Sequence, residues 1–216
     1  MHLLAGAAEY IAENPRLFRE ALVTHLALAG SALAVAILIA VPLSIAVSRR
    51  PRAAAVAINV ANTARTIPSI AILAFTLPFL GIGFLPSFVA LVILGLPPIL
   101  TNTYIGIREV DPDAIESATG MGMTSLQILR RVELPVAMPV ILAGVRTSAV
   151  QIVAGATLAA FIGGGGLGDF ITTGIGMMQV EIMLVGAIPV TLLAILTEVV
   201  FGRLERALTP HGLRER

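Results

Sequence analysis

The sequence has no cysteine, no tryptophan and no lysine, and only three histidines and two tyrosines among its 216 residues. Without cysteine, neither a disulfide framework nor a thiolate metal site can be built. His2, His25 and His211 stand far apart and form no HExxH or similar spacing, so no metal chemistry is expected. The missing lysine excludes a Walker A loop, a Schiff-base lysine and a Ser–Lys dyad, so any nucleotide energy must come from another subunit. Charge is scarce too: 12% of residues are charged against 57% hydrophobic, and the mean hydropathy is +0.95. A soluble chain of this length needs a charged surface that is absent here. A net charge of +1 points to no nucleic-acid partner. The N-terminal stretch mixes acids with bases and has no small-residue cleavage site, so no removable signal peptide is expected.

What the chain has instead is long apolar runs. A bilayer core of about 30 Å is crossed by about 20 helical residues at 1.5 Å each. Five runs reach that length, at about 22–47, 54–80, 84–107, 134–162 and 182–202. The second is broken by Pro68 and Pro78 and carries Asn59, Asn62, Thr63, Arg65 and Thr66; the third contains Pro97-Pro98, then Asn102 and Thr103; the fifth holds Pro189, Thr191, Thr197 and Glu198. Intramembrane proline is tolerated where neighbouring helices or a cavity satisfy the freed carbonyls, so these three runs are expected to line something. With the N-terminus outside, five crossings leave ten of the 14 arginines on the cytoplasmic side: Arg49, Arg50, Arg52, Arg108, Arg130, Arg131, Arg203, Arg206, Arg214 and Arg216. Arg16 and Arg19 lie outside, and Arg65 and Arg146 within runs. The reverse orientation violates the positive-inside rule. No internal repeat or inverted pair of halves is evident, which weighs against a self-contained secondary carrier. Five helices make a thin bundle, so two copies, or one copy and a paralogue, are expected to enclose a pathway.

Between the third and fourth runs lies an amphipathic segment, 111–133, on the cytoplasmic side in this topology. Asp111-Pro112-Asp113 offers an N-cap with proline in the first helical turn. A short helix to about Thr119 is expected, then a bend at Gly120 and Gly122, then another turn or two over 125–131, with Leu134-Pro135 leading into the fourth run. Such a piece suits docking into another protein, and equally suits a plain interfacial linker.

Glu116-Ser117-Ala118, three residues, Gly122, nine residues, and Val132-Glu133-Leu134-Pro135 resembles the E-A-A-x3-G-x9-I-x-L-P motif of the membrane subunits of bacterial ATP-binding-cassette importers. Ser117 replaces the second-position alanine and Val132 the isoleucine. The resemblance implies an all-helical five-span permease of the type I, methionine-importer-like fold, forming one transmembrane domain over 1–216. It implies that 111–133 is a coupling helix seated in a cleft of a cytoplasmic ATPase. Glu116 would be its polar contact and cap, Ala118 its packing surface and Gly122 its turn, with Gly120, Met123, Leu134 and Pro135 completing the segment. ATP and magnesium would be held by that ATPase and no cofactor by this chain. Further stretches, Arg65-Thr66-Ile67-Pro68-Ser69-Ile70, Asn102-Thr103-Tyr104-Ile105-Gly106, Ala143-Gly144-Val145-Arg146 and Ala159-Ala160-Phe161-Ile162-Gly163, resemble the permeases of osmoprotectant importers for glycine betaine, choline and carnitine. Methionine-importer permeases are the runner-up, with a similar GGGGLGD stretch. The family implies a bacterial cytoplasmic membrane and a separate extracytoplasmic binding protein. Only two tyrosines and no tryptophan make a poor aromatic cage within the permease, which agrees with that division of labour.

Phe161 to Phe170 reads FIGGGGLGDF and contains G-x-G-x-x-G at Gly163, Gly165 and Gly168. A dinucleotide site needs a βαβ unit, whereas this stretch follows a transmembrane run, so it is read as an external loop over 163–181, flexible, re-entrant or merely connecting. Gly164 and Gly166 belong to the same run, and Asp169 is placed to cap a segment over 171–178. Arg65, Thr66, Pro68, Ser69, Asn102 and Thr103 are the candidates for a translocation path. An intramembrane arginine is a functional candidate by default, although Arg146 is also suited to a structural pair, for example with Glu198. Glu198 in turn sits about one turn from Arg203. Two other classes have residues to draw on. An intramembrane hydrolase has Ser69, Ser148 and His25 to draw on, but no G-x-S-x-G motif and no Ser–His pairing. An ion-coupled carrier would use Arg65, Arg146 and Glu198 as its relay.

Overall fold

The computed structural model describes residues 2–208, without the side chains at 64, 65 and 69, and its regular elements are helices. In order they are α1 (His2–Glu13), α2 (Pro15–Ser48), α3 (Pro51–Thr66), α4 (Ser69–Leu80), α5 (Phe84–Arg108), α6 (Pro112–Gly120), α7 (Ser125–Ile128), α8 (Leu134–Gly155), α9 (Gly168–Met177) and α10 (Val180–Leu208). A π turn, Leu129–Glu133, joins α7 to α8, and a 3-10 segment, Ala156–Ile162, continues α8. Residues 125–162 thereby form one unbroken helical column.

Along α2 the buried positions recur every fourth residue: Leu28, Ala32, Ala36, Ala40, Ser44 and Ser48. Residues four apart share a helix face, and a row of small ones lets another backbone come close, which is how helices associate where lipid offers no hydrophobic drive. The partner is α5. Ser44 Oγ donates to the Leu100 carbonyl at 2.8 Å. On the other flank of α5, Ser148 of α8 donates to the Gly95 carbonyl at 2.9 Å. Bonds of this kind contribute about 0.6 kcal/mol each in membranes. Gly144 marks the closest approach of α8: a Cβ there would stand 2.6 Å from Asn102 Cβ and 2.7 Å from the Pro98 carbonyl oxygen. His25 Nε2 of α2 donates to the Val153 carbonyl at 3.0 Å and completes the α2–α5–α8 core.

Pro97 and Pro98 do not break α5, and they are buried in this core rather than lining an open space. Pro68 does break the second run. Proline disfavours helical geometry at the preceding residue, and the expected 54–80 span becomes two helices meeting at Ile67–Pro68. Pro78 is accommodated within α4. Among the described residues four helices are long and apolar enough to cross a membrane, Pro15–Ser48, Phe84–Arg108, Ser125–Ile162 and Val180–Leu208, while α4 is a shorter apolar helix. Helix α1 lies ahead of the first apolar run, where the sequence predicts no element. It packs Ala7 and Tyr10 with Phe170 of α9 and Val185 of α10. The side chains of Arg65 and Ser69 lie outside the described residues, as do His211, Arg214 and Arg216.

Candidate functional site

Helix α6 is built as its sequence demands. Asp111 is the N-cap and accepts from the Asp113 N–H at 2.9 Å, with Pro112 at the first position. The cap therefore belongs to Asp111, and Glu116 sits exposed one turn further along. At the other end Gly122 N donates to Thr119 O at 2.9 Å and Met123 N to Ala118 O at 3.2 Å. That pair of bonds is the Schellman ending, whose C′ residue is left-handed, and Gly122 has φ +79. Gly120 is an ordinary last helical residue, so one glycine makes the bend where two were expected.

Thr124 restarts the chain with a reciprocal capping box: its N–H donates to Gln127 Oε1 at 2.7 Å, and Gln127 N–H to Thr124 Oγ1 at 3.4 Å. Pro135 has no N–H to return to Arg130 or Arg131, and the ladder opens into the π turn, with the Leu134 N–H reaching Leu129 O. The bend at Gly122 is thus attached directly to the column that becomes α8. Ala118 is 1% exposed, packed inward, whereas Glu116, Ser117, Gly120 and Pro135 face out and Met123 and Leu134 are half-buried. Leu134 packs, as do Val41 and Ile45, against the buried cluster of Ile107, Ala137 and Ile141. The segment therefore offers an outer surface of Glu116 and Ser117 flanked by exposed Met121 and Leu126, on a small-residue foot at Ala118.

Beside it lies a cavity of about 370 Å³ lined by Ser48, Arg49, Arg108, Ile115, Glu116 and Glu133 among others. Glu133 is buried and pairs with Arg49 at 3.3 Å, 84 residues away. No local spacing announces that pair; the only signal in the sequence is two charges at the ends of apolar runs.

At the far end of the α8 column the glycine run closes on the bundle. Gly163, Gly165 and Gly166 have φ of +68, +75 and +98, which side chains rarely adopt. A Cβ at Gly164 would collide with Ser87 Oγ, and one at Gly168 with the Thr157 carbonyl. The run is therefore a packed turn laid against α2 at Thr24 and His25, not a loose connection and not a strand-to-helix phosphate turn. Helix α9 starts at Gly168 with Leu167 in the cap position and no side-chain cap, so Asp169 lies in the first turn instead of capping 171–178. Partial burial raises the Asp169 carboxyl above its usual value.

Thr66 and Pro68 are exposed at the α3–α4 break. Asn102 bonds back to the Pro98 carbonyl at 2.8 Å beside Gly144, and Thr103 is fully buried. Arg146 pairs with Glu198 at 3.6 Å, as the sequence suggested, and also with Glu205 at 3.1 Å. Glu205 follows Glu198 by seven residues, two turns on the same face, a spacing that could have found it. Glu198 thus faces α8, away from a pairing with Arg203. Among the described residues no cluster of metal-binding side chains occurs.

Residues 32–210 match the family model described as "Binding-protein-dependent transport system inner membrane component". The chain is 50% identical over 191 residues, 88% of each chain, to a carnitine transport permease protein, OpuCB, of Listeria monocytogenes. It is 46% identical over 190 residues, again 88% of each, to a glycine betaine/carnitine/choline transport system permease of Bacillus subtilis (strain 168). It is 36% identical to the osmoprotectant import permease OsmW of Salmonella typhimurium, covering 95% of this chain and 98% of that one. Among solved structures, an inward-facing form of the MetNI methionine ABC transporter superposes with a TM-score of 0.79 over 90% of this chain and 97% of that one, at 23% identity. That likeness establishes the type I importer permease fold.

Proposed function

The chain belongs to the binding-protein-dependent transport system inner membrane component family, and from that membership we propose that it passes a small osmoprotectant such as glycine betaine, choline or carnitine through a membrane on behalf of a separate ATPase. The observation that carries the substrate class is 50% identity, sustained over 88% of both chains, to a carnitine transport permease. In this reading α6 is the coupling helix. Its outer face, with Glu116 and Ser117, meets the ATPase; Ala118 is the foot on which it rests; and the Gly122 turn hands its displacement to the 125–162 column. ATP and magnesium act in the ATPase, and this chain moves without covalent chemistry.

We read α3 and α4 as a fifth crossing made of two halves. Two facts support it: α3 begins beside the end of α2, with Arg50 N–H donating to Val47 O at 2.8 Å, and α4 ends where Gly83 N–H donates to Ile162 O at 2.8 Å at the far end of the α8 column. Five alternating crossings put α6 and most arginines in the cytoplasm, the N-terminus and glycine turn outside, and suit the cytoplasmic membrane of a bacterium. A second permease copy or a paralogue completes the path, with Thr66, Pro68, Asn102 and Thr103, together with positions 65 and 69, as its candidate lining. A binding protein delivers the solute from outside.

The test is reconstitution of the chain with its ATPase and binding protein in lipid vesicles, with ATP hydrolysis recorded against glycine betaine, choline, carnitine and methionine. Stimulation by a quaternary ammonium is expected. Stimulation by methionine alone overturns the substrate class, and solute uptake without any ATPase overturns the coupling.

A further inference from the structure

The coupling motif leaves one position open between Val132 and Leu134, and here it holds Glu133. Its side chain is 8% exposed, and both of its oxygens lie 3.3 Å from Arg49 Nη2. Removing the cation from beside a buried carboxylate leaves that carboxylate without its partner, which is strongly destabilising. Arg49 is the C-cap of α2 and stands two residues before Pro51, the start of α3. It therefore sits in the corner through which α2 turns into α3. Glu133 is the last residue of the π turn, in the column driven by α6.

The surroundings give this pair mechanical weight. A cavity of about 370 Å³ lies between α6 and the α2 end, lined by Ile115 and Glu116 on one side and Ser48 and Arg49 on the other. Both partners of the ion pair line that cavity, and Leu134, the next residue, joins Val41 and Ile45 of α2 in the apolar cluster around Ile107, Ala137 and Ile141. Resting on the reading of α6 as the ATPase-coupling helix, we propose that Arg49 and Glu133 are a positioning clamp: they make the α2–α3 corner follow the coupling segment and so carry its displacement to the α3–α4 break at Pro68. Without the clamp, α6 and the 125–162 column move while the corner lags. The ATPase then still closes, but the path responds poorly.

The experiment uses the complete complex, with its ATPase and binding protein, in vesicles, and reads glycine betaine imported per ATP hydrolysed. Wild type is measured first. If it draws no ATP hydrolysis from the ATPase, the coupling reading itself fails, and the clamp with it. Given a coupled wild type, Arg49→Gln and Glu133→Gln are expected to keep the ATPase bound and hydrolysing, while solute moved per ATP falls about fivefold or more, the range of an ordinary coupling free energy. The double reversal Arg49→Glu with Glu133→Arg is expected to recover most of that ratio. A merely structural pair would lower hydrolysis and import together and leave the ratio unchanged, which overturns the proposal. A reversal no better than the single variants also overturns it. Should a Gln variant fail to assemble, Arg49→Lys against Arg49→Ala gives the same comparison, with the ratio kept only by lysine; equal ratios count against the clamp.

Discussion

At Gly122 the backbone is left-handed, with φ +79, and no neighbour lies within 4 Å of where a Cβ would stand. The requirement there is conformational, not steric. Gly122→Ala is expected to destabilise the α6 ending by about 1–2 kcal/mol, the left-handed penalty of an L-residue, and to lower ATPase stimulation in the assembled complex. Gly120→Ala is the control: position 120 is helical and equally open, so stimulation is expected to stay at the wild-type level. Equal losses in the two variants would mean that the Schellman turn is not what this segment needs. Asp169 makes a second residue-scale prediction. Burial raises its carboxyl above 3.8, so the folded chain binds the proton more tightly than the unfolded one. Its contribution to stability is complete below 3.8 and is lost as pH rises through the raised folded value. Melting temperature measured across that window is expected to fall with pH, and Asp169→Asn to flatten the slope; an unchanged slope counts against the assignment.

The helices meet through small residues, and the consequence is sharpest at the α5–α8 seam. A side chain at position 144 must displace Asn102 and the Pro98 carbonyl, and one of these is backbone that cannot step aside. Gly144→Ala is expected to cost about 1–3 kcal/mol, as overpacking does, read as a lower melting temperature in detergent. Gly30→Ala, on a stretch of α2 with nothing within 4 Å, is expected to leave the melt unchanged. If Gly144→Ala melts like wild type, the two helices are less tightly engaged than their geometry requires. The same seam holds Pro97 and Pro98, which the sequence alone marks only as a place where carbonyls are freed. Proline within an apolar run points to freed carbonyls, but whether a neighbouring helix or an open path answers them depends on what packs there, and here α2 and α8 close over them.

Across the whole molecule, α6 and the turn at Met178 lie at opposite ends of the 125–162 column, and both carry highly exposed methionines: Met121 at 75% and Met178 at 93%. The natural absence of cysteine makes the chain its own background for labelling. In sealed vesicles of known orientation, Met121→Cys is expected to react with an impermeant maleimide only from the cytoplasmic side and Met178→Cys only from outside. Labelling of both from one side would break the five-crossing topology, and the reverse pattern would invert it.

Sequence alone carried most of the membrane architecture and the shape of α6, because both rest on local physics. Apolar run length answers to bilayer thickness, the cap at Asp111 answers to orphan N–H groups nearby, and the Gly122 ending answers to a steric rule for one residue. The α3–α4 break was half legible, since Pro68 announces a kink but not two separate helices. What only the tertiary structure decided are the meetings of distant residues: Arg49 with Glu133, Arg146 with Glu205, His25 with the Val153 carbonyl, and the folding of the glycine run onto α2. Each depends on which faces of long helices turn together, and helical periodicity marks a face without naming its partner. A charge at the end of an apolar run reads as a topology signal, and only its burial reveals that it is also half of a joint.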